Sequence, residues 1–416
     1  MHQTFSIRVW IPLKQKKLNQ DGVAHLGLIV MVVVVVGVIG FAAFRIIASK
    51  KSDSGSKNAE ANQLATVKKD CKGTGSVAMT HMPMDMKDVN SVLPIGTLAG
   101  AHVTPIDHLY FYPKDMQNRD AAPVYAMADG YIVSLQTRSV RVDTGDSQKD
   151  EYRIEIQHNC DIVSYFDLMT SLDPSIKDKL KDGQSLHVPV KAGQVLGRVG
   201  AQSLDTAIYN YSMTLKGFVK PESYKAEPWK VHTDDFFKYF GTDLRDQMLA
   251  KNPRKAEPRG GKIDYDVSGK LVGNWFEQGT NGYSGAGDPS QNRVANSDGR
   301  GYWSGHFSIA PDAIDPSVTD VSFGDYNGQA KQFSAKDGSP DPATIGESDG
   351  VVKYELVQFM VPSPSPTGGV PTRNTMVQAT VLLQVLSNDK MKMEAFPGKT
   401  ASQVSGFTSA AKTYER

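Results

Sequence analysis

A rhythm of short strand-like runs broken by turn formers constrains the second half of this chain to an all-β fold. From about Lys262 the runs cover residues 271–277, 302–309, 318–323, 330–335, 351–361, 376–386 and 391–396, and Asn281-Gly282, Ser297-Asp298-Gly299 and Asp337-Gly338 punctuate them. Asn-Gly and Asp-Gly pairs accept the positive φ that tight hairpin turns demand, so neighbouring runs of this kind pair antiparallel. The region 262–416 is therefore expected to form an antiparallel β-sandwich or a meander barrel. Asp298, Asp312, Asp315, Asp320 and Asp325 lie in it, but their spacing fits no calcium-loop pattern. Trp275, on the first run, is expected to close one end of the β-core.

The first half repeats this grammar before a helical stretch. Pro123-Val124-Tyr125-Ala126 and Tyr131-Ile132-Val133 flank Asp129-Gly130, which reads as strand, tight turn, strand. Between Val190 and Gly200, Gly193 marks a turn, Val195 and Leu196 open a strand, and Gly197 and Gly200 permit bends or a close backbone approach. Thr233-Asp234-Asp235 makes an N-cap cluster, and Phe236, Phe237, Phe240, Leu244, Met248 and Leu249 recur at helical spacing as far as Lys251. Asn252-Pro253 and Glu257-Pro258-Arg259-Gly260-Gly261 break that pattern. Residues 231–261 thus read as a helical connector and linker whose aromatic stripe docks on a domain.

Leu26 to Phe44 is uncharged and built almost entirely of Val, Ile, Leu, Gly, Ala and Phe, about the length that crosses a bilayer core. A single-pass transmembrane helix is expected over 26–48, after a cytoplasmic segment 1–25 and before a flexible tether 49–69 rich in Ser, Lys, Ala, Asn and Gln. With no small-residue cleavage site after the run, it reads as an uncleaved anchor. Basic residues lie on both sides (Arg8, Lys14, Lys16 and Lys17 before, Arg45, Lys50 and Lys51 after), so charge does not set the orientation. A formal net charge of +1, with the charges interspersed, excludes a strongly basic nucleic-acid binder.

Five blocks follow one another between Ile95 and Gly200. They are Ala101-His102-Val103-Thr104-Pro105-Ile106-Asp107-His108; Ala122-Pro123-Val124-Tyr125-Ala126-Met127-Ala128-Asp129-Gly130; Ile154-Glu155-Ile156-Gln157-His158; Ser164-Tyr165-Phe166-Asp167-Leu168; and Val190-Lys191-Ala192-Gly193-Gln194-Val195-Leu196-Gly197-Arg198-Val199-Gly200. This succession resembles the lysostaphin-type zinc endopeptidases over residues of about 95–215. The resemblance implies a small sandwich of β-hairpins, the duplicated hybrid motif, here within 70–230. It also implies a zinc held by the His and Asp of a His-x3-Asp motif and the second His of a His-x-His motif. Acid/base and oxyanion roles would fall to the first His of that pair and to the His of a Tyr-x-His-Leu motif.

The chemistry departs from that pattern where the scaffold does not. Asp107 falls at the Asp position, but His102 lies one residue too far upstream, and a one-residue slip in a strand turns a side chain to the opposite face. Asp167 stands in place of the Tyr-x-His-Leu histidine, and Tyr209-Asn210-Tyr211 in place of His-x-His. A zinc hydrolase needs about three protein ligands and an open position for water, so no catalytic residue and no metal ligand is assigned. A binding groove that no longer cleaves fits better, with His102, Asp107, His108, His158, Tyr165, Asp167, Tyr209, Asn210 and Tyr211 as its candidates, and Tyr110 and Tyr112 beside them. The same tyrosines also fit ordinary strand packing, and His158, in line with Ile154 and Ile156, fits a core-facing strand residue. A different metal constellation, through His102, Asp107, His108, His158 and Asp167, stays open.

Such domains act outside the cytoplasmic membrane, so the resemblance orients the bulk of the chain outward. The two cysteines, Cys71 and Cys160, then lie in an oxidising compartment and can pair, although two buried free thiols remain an alternative. The expected protein is a membrane-anchored envelope protein that binds a cell-surface polymer or an envelope protein, with no cofactor. The alternatives are a zinc metallohydrolase of the cell wall with relocated ligands, and a small-molecule carrier. The carrier would use the C-terminal β domain, whose Gly273-Asn274-Trp275 is similar to the Gly-x-Trp opening of lipocalins.

Overall fold

The computed structural model describes residues 71–141, 148–179, 186–285, 301–359 and 375–416. The expected membrane span and its tether lie outside the described residues, and among the described residues no helix is long and apolar enough to cross a membrane. The protein is mainly β with few helices.

The first half contributes β1 (Val89–Leu93), β2 (Leu109–Pro113), β3 (Ala122–Tyr125), β4 (Gly130–Arg141), β5 (Gln148–Gln157), β6 (Ile162–Met169) and β7 (Ser171–Leu172). The helical turn α1 (Pro174–Lys177) precedes β8 (Val188–Val190), β9 (Val195–Val199) and β10 (Leu204–Asn210). Seven strands form one antiparallel sheet in the order β1-β2-β10-β6-β5-β4-β8, and β3-β9-β7 form a smaller one. Strand parity sorts the large sheet into two faces. Leu109, Phe111, Ile154, Ile156, Phe166, Leu204 and Ile208 point into the apolar core with Val124, Leu196 and Val199 of the small sheet. Tyr110, Glu155, Tyr165, Asp167, Asp205, Ala207 and Tyr209 share the other face, as the pairings Asp205↔Tyr110, Asp205↔Asp167, Ala207↔Tyr165 and Glu155↔Tyr165 require.

The hairpin expected across Asp129-Gly130 is absent. β3 pairs with β9 in the small sheet, whereas β4 pairs with β5 and β8 in the large one, so Asp129-Gly130 carries the chain from one sheet to the other. The pair serves contacts other than turn dihedrals. The Asp129 carboxylate accepts from the Ala192 amide at 2.9 Å and from Lys191 Nζ at 2.7 Å. Gly130 is needed because a Cβ there would lie 2.7 Å from the Gln157 carbonyl and 2.8 Å from Ile156 Cγ2. Gly193, by contrast, sits in a turn at φ +78°, which Gln194 N closes by donating to Lys191 O at 2.9 Å.

The aromatic stripe after Asp235 does not form one helix. Asp235 Oδ1 caps a 3₁₀ turn over Phe236–Tyr239 by accepting from Phe237 N at 3.0 Å, and α2 (Thr242–Ala250) begins only after a break. The break has a cause: Phe240 is extended and bridges Met79 in parallel, with Met79 N donating to Tyr239 O at 2.8 Å. Phe236, Phe237, Tyr239, Phe240 and Met248 are buried in the core of the first half.

The second half is a closed barrel, β11 (Gly273–Glu277), β12 (His306–Pro311), β13 (Thr319–Tyr326), β14 (Gln329–Ala335), β15 (Val351–Gln358), β16 (Ala379–Leu386), β17 (Lys390–Pro397) and β18 (Lys412–Glu415). Each strand pairs antiparallel with the next, and Phe276↔Glu415 closes the ring. Closure decides between sandwich and barrel, and it depends on β18, a four-residue strand with one buried apolar residue, Tyr414, and too little pattern to read. Trp275 is fully buried and donates its indole N–H to Leu271 O at 2.8 Å. The Arg416 guanidinium lies over its ring, 3.9 Å from the centroid, and donates to the Val267 and Lys270 carbonyls.

The halves share a buried boundary. Phe276 and Tyr283 of the barrel belong to the core of the first half, and Trp303 packs with Ala101 and Val103. Buried Arg254 pins the connecting segment, donating to Pro258 O at 2.7 Å and to Ala313 O at 2.8 Å. A disulfide joins Cys71 to Cys160 beside the turn between β5 and β6, with Cα atoms 5.0 Å apart and a sequence separation of 89.

Candidate functional site

The polar face of the large sheet gathers an ionic cluster where β2 begins. The Asp107 carboxylate accepts from Tyr209 OH at 3.2 Å, lies 3.5 Å from His108 Nδ1, and has the ammonium of Lys230 3.6 Å away. On the other edge of the His108 ring, Nε2 lies 3.3 Å from Asp205 Oδ2, within ion-pair reach but off hydrogen-bond geometry. Ser203 Oγ donates to the second Asp205 oxygen at 3.1 Å. Around this cluster His108 makes ring contacts with His102, Tyr110 and Tyr165, at centroid distances of 5.9, 5.2 and 5.9 Å. Asp107, His108 and Asp205 are all buried, so each charge must be met inside the protein.

The titration of these groups follows from that enclosure. Burial pushes Asp107 up, but Lys230 and His108 outweigh it and hold the carboxyl below the usual carboxylate range. Burial alone would lower His108, yet Asp205 and Asp107 raise it to about 9. Burial raises Asp205, with His108 opposing. His102 is half-buried, and burial, then His108 and Lys230, lowers it to about 3. Two cations, Lys230 and His108, thus face two carboxylates, Asp107 and Asp205. Burial also pushes the hydroxyls of Tyr110, Tyr112, Tyr209 and Tyr211 up.

A second carboxylate centre lies on the neighbouring strand, where Asp167 of β6 pairs with Asp205 of β10. Asp167 Oδ2 accepts from Arg153 Nε at 2.9 Å and from Tyr165 OH at 2.9 Å, while the other Arg153 nitrogen lies 2.8 Å from it. Asp167 Oδ1 accepts from the Leu168 amide at 2.7 Å, and Leu168 has φ +63° at the register shift between β5 and β6. This bulge turns the carboxylate toward Arg153. The fork of Arg153 and the tyrosine hydroxyl use the lone pairs that a metal would need.

The chain covers this face with its own loop. After β10 it returns through a 3₁₀ turn over Pro228–His232, held by Leu215 N to Val231 O at 2.8 Å and Asp234 N to Ile208 O at 3.0 Å. Trp229 packs against Tyr165, Ala207 and Tyr209, and Lys230 reaches in to Asp107. From the barrel side, the ring of Tyr283 has the Lys230 ammonium 5.2 Å from its centroid. Tyr302 and His306 stack around Tyr283.

Of the candidates from sequence, His102, Asp107, His108, Tyr165 and Tyr209 meet in the first cluster, and Asp167 stands beside Tyr165. His158 is not brought there. It shares the core-facing parity of Ile154 and Ile156, and its nitrogens meet Asp129 O at 2.7 Å and Ser164 Oγ at 2.9 Å. Asn210 also turns away, donating to Asp234 Oδ2 at 2.9 Å, and Tyr211 sits at the rim against Val133, Val163 and His232. Three residues of these clusters were not singled out: Asp205, Arg153 and Lys230. Asp205 and Arg153 have the parity of Tyr209 and Glu155 and were findable that way, whereas Lys230 arrives on a loop with no periodicity to mark it. Among the described residues no group of three or more His, Cys, Asp or Glu side chains is placed to hold a metal ion. The residues present do not fit zinc: each candidate carboxylate already faces a cation or hydroxyl of the chain.

No family model matches the sequence, and no curated protein matches it. Solved structures to which the chain is similar include Csd3 of Helicobacter pylori, at 15% identity and a TM-score of 0.22 over 33% of each chain. They also include lysostaphin in its solution NMR structure, at 13% identity and a TM-score of 0.24, covering 65% of this chain and 97% of that one. This chain spans about a third of the length of the Csd3 chain.

Proposed function

We propose that this protein is a non-hydrolytic binding protein of the cell envelope that engages a cell-surface polymer through the aromatic rim of its large sheet. In this reading residues 26–48 anchor it in the cytoplasmic membrane and the folded part faces outward. One observation carries the loss of hydrolysis: the carboxylates at the candidate site are neutralised from within, Asp107 by Lys230 and His108, and Asp167 by Arg153. Hydrolysis needs a metal-bound water and a positioned acid/base, and the carboxylates that could serve either role are engaged by the chain's own cations. The rim supports binding, because Tyr110, Tyr112, Tyr211, Trp229 and His232 stay half-buried and offer flat amphipathic surfaces suited to sugars. The Cys71–Cys160 bridge supports an oxidising compartment. Apolar side chains such as Phe307, Phe323, Phe333 and Tyr354 pack the barrel interior, which favours a structural role for it over a carrier's.

The test mixes the full-length protein in detergent with isolated cell-wall polymer and scores both co-sedimentation and soluble fragments. Co-sedimentation without fragments is expected. Fragment release that a chelator stops and zinc restores would overturn the reading, and no co-sedimentation would redirect it to an envelope protein partner. A C-terminal reporter active only in the cytoplasm would refute the outward topology.

A further inference from the structure

We infer that the pocket bounded by Asp107 and Tyr283 is a site for a primary ammonium, which the chain fills itself with Lys230. The inference deepens the non-hydrolytic reading above by naming what the site holds in place of a metal.

Lysine is almost never fully buried without a partner, yet Lys230 is 1% exposed. Its ammonium lies 3.6 Å from Asp107 Oδ1 and 5.2 Å from the Tyr283 ring centroid, so a carboxylate and an aromatic face share one cation. The backbone holds it there: Lys230 N donates to Glu227 O at 3.0 Å, and Thr233 Oγ1 donates to Lys230 O at 2.9 Å. The walls come from three parts of the chain, Asp107 before β2, Pro228–His232 after β10, and Tyr283 after β11. Such an enclosure suits one compact cation on an alkyl stem. A zinc ion would find a single carboxylate with its other contacts taken by Tyr209 and His108.

The test is chemical rescue in the full-length protein, read by thermal melting. Lys230→Ala should lower the Tm, and n-propylammonium chloride, the piece the substitution removes, should restore part of the loss saturably. Sodium or tetramethylammonium chloride at the same concentration should not, and zinc should shift neither wild type nor variant. Zinc raising either Tm, or propylammonium acting no better than sodium, would overturn the inference. If Lys230→Ala does not fold, reductive methylation of the wild type decides. Lys238, with 47% of its side chain exposed, should be modified while Lys230 stays protected, and equal modification would overturn the inference. Polymer co-sedimentation is scored on the same preparations, so failure of the binding reading is seen separately from failure of the ammonium site.

Discussion

His306 is buried where the two halves meet, with Nε2 3.1 Å from the Tyr283 carbonyl, and burial lowers its pKa to about 3. An unfolded chain takes up this proton near pH 6.5. The neutral ring therefore contributes its full stability above about pH 6.5, and that contribution is lost as the pH falls toward 3. His306→Gln keeps a donor for the carbonyl and should flatten the acid side of a Tm–pH profile; an unchanged profile would refute this. His108 acts in the opposite sense, since its raised pKa means its contribution declines as the pH rises from about 6.5 through about 9. Arg153→Met strands a buried carboxylate and should cost about 3–5 kcal/mol. Adding Asp167→Leu should recover much of that, and a double-mutant cycle by urea denaturation with additive losses would count against the pairing. At this scale Asp107, His108, Tyr165 and Asp167 were legible inside the quoted blocks, whereas His158 belongs to the other face of the sheet. Strand parity places Arg153 on the polar face, but only the register pairs it with Asp167, and Lys230 arrives on a loop crossing over the sheet that nothing local marks.

Elements were legible where pattern alone defines a strand, and illegible where a tertiary contact overrides local preference. Asp129-Gly130 has the composition of a hairpin turn, yet it crosses between sheets because the glycine is needed for close approach to Gln157. Gly130→Ala should therefore destabilise the protein by about 1–3 kcal/mol through overpacking. A loss no greater than that of an exposed-strand Ala substitution would contradict the close-approach account. The helical spacing after Asp235 misled for a similar reason: the Phe240 backbone pairs with Met79, and a bridge to a distant segment outweighs the modest propensity of a few aromatic residues. In the barrel, the alternating runs announced most of the strands and said nothing of β18, whose value lies in closing the ring.

For the whole molecule, the Cys71–Cys160 bridge encloses a long loop spanning most of the large sheet, and loops of that size are worth about 4 kcal/mol in the entropic model. Cys160→Ser should lower the Tm under non-reducing conditions and make it insensitive to dithiothreitol. A wild-type Tm that dithiothreitol leaves unchanged would argue against the bridge in solution. The β second half could be read from its own hydrophobic rhythm, whereas the hairpin sandwich expected of the first half came from its family resemblance. Their union could not be read, because Phe276, Tyr283 and Trp303 look like ordinary barrel residues until their neighbours across the boundary are seen. That shared interior turns the Pro- and Gly-rich segment between the halves into a weld rather than a hinge. A protease should find no foothold there, calorimetry should record a single peak, and neither lobe should survive as a truncation fragment without exposing the aromatic seam that the other now keeps dry.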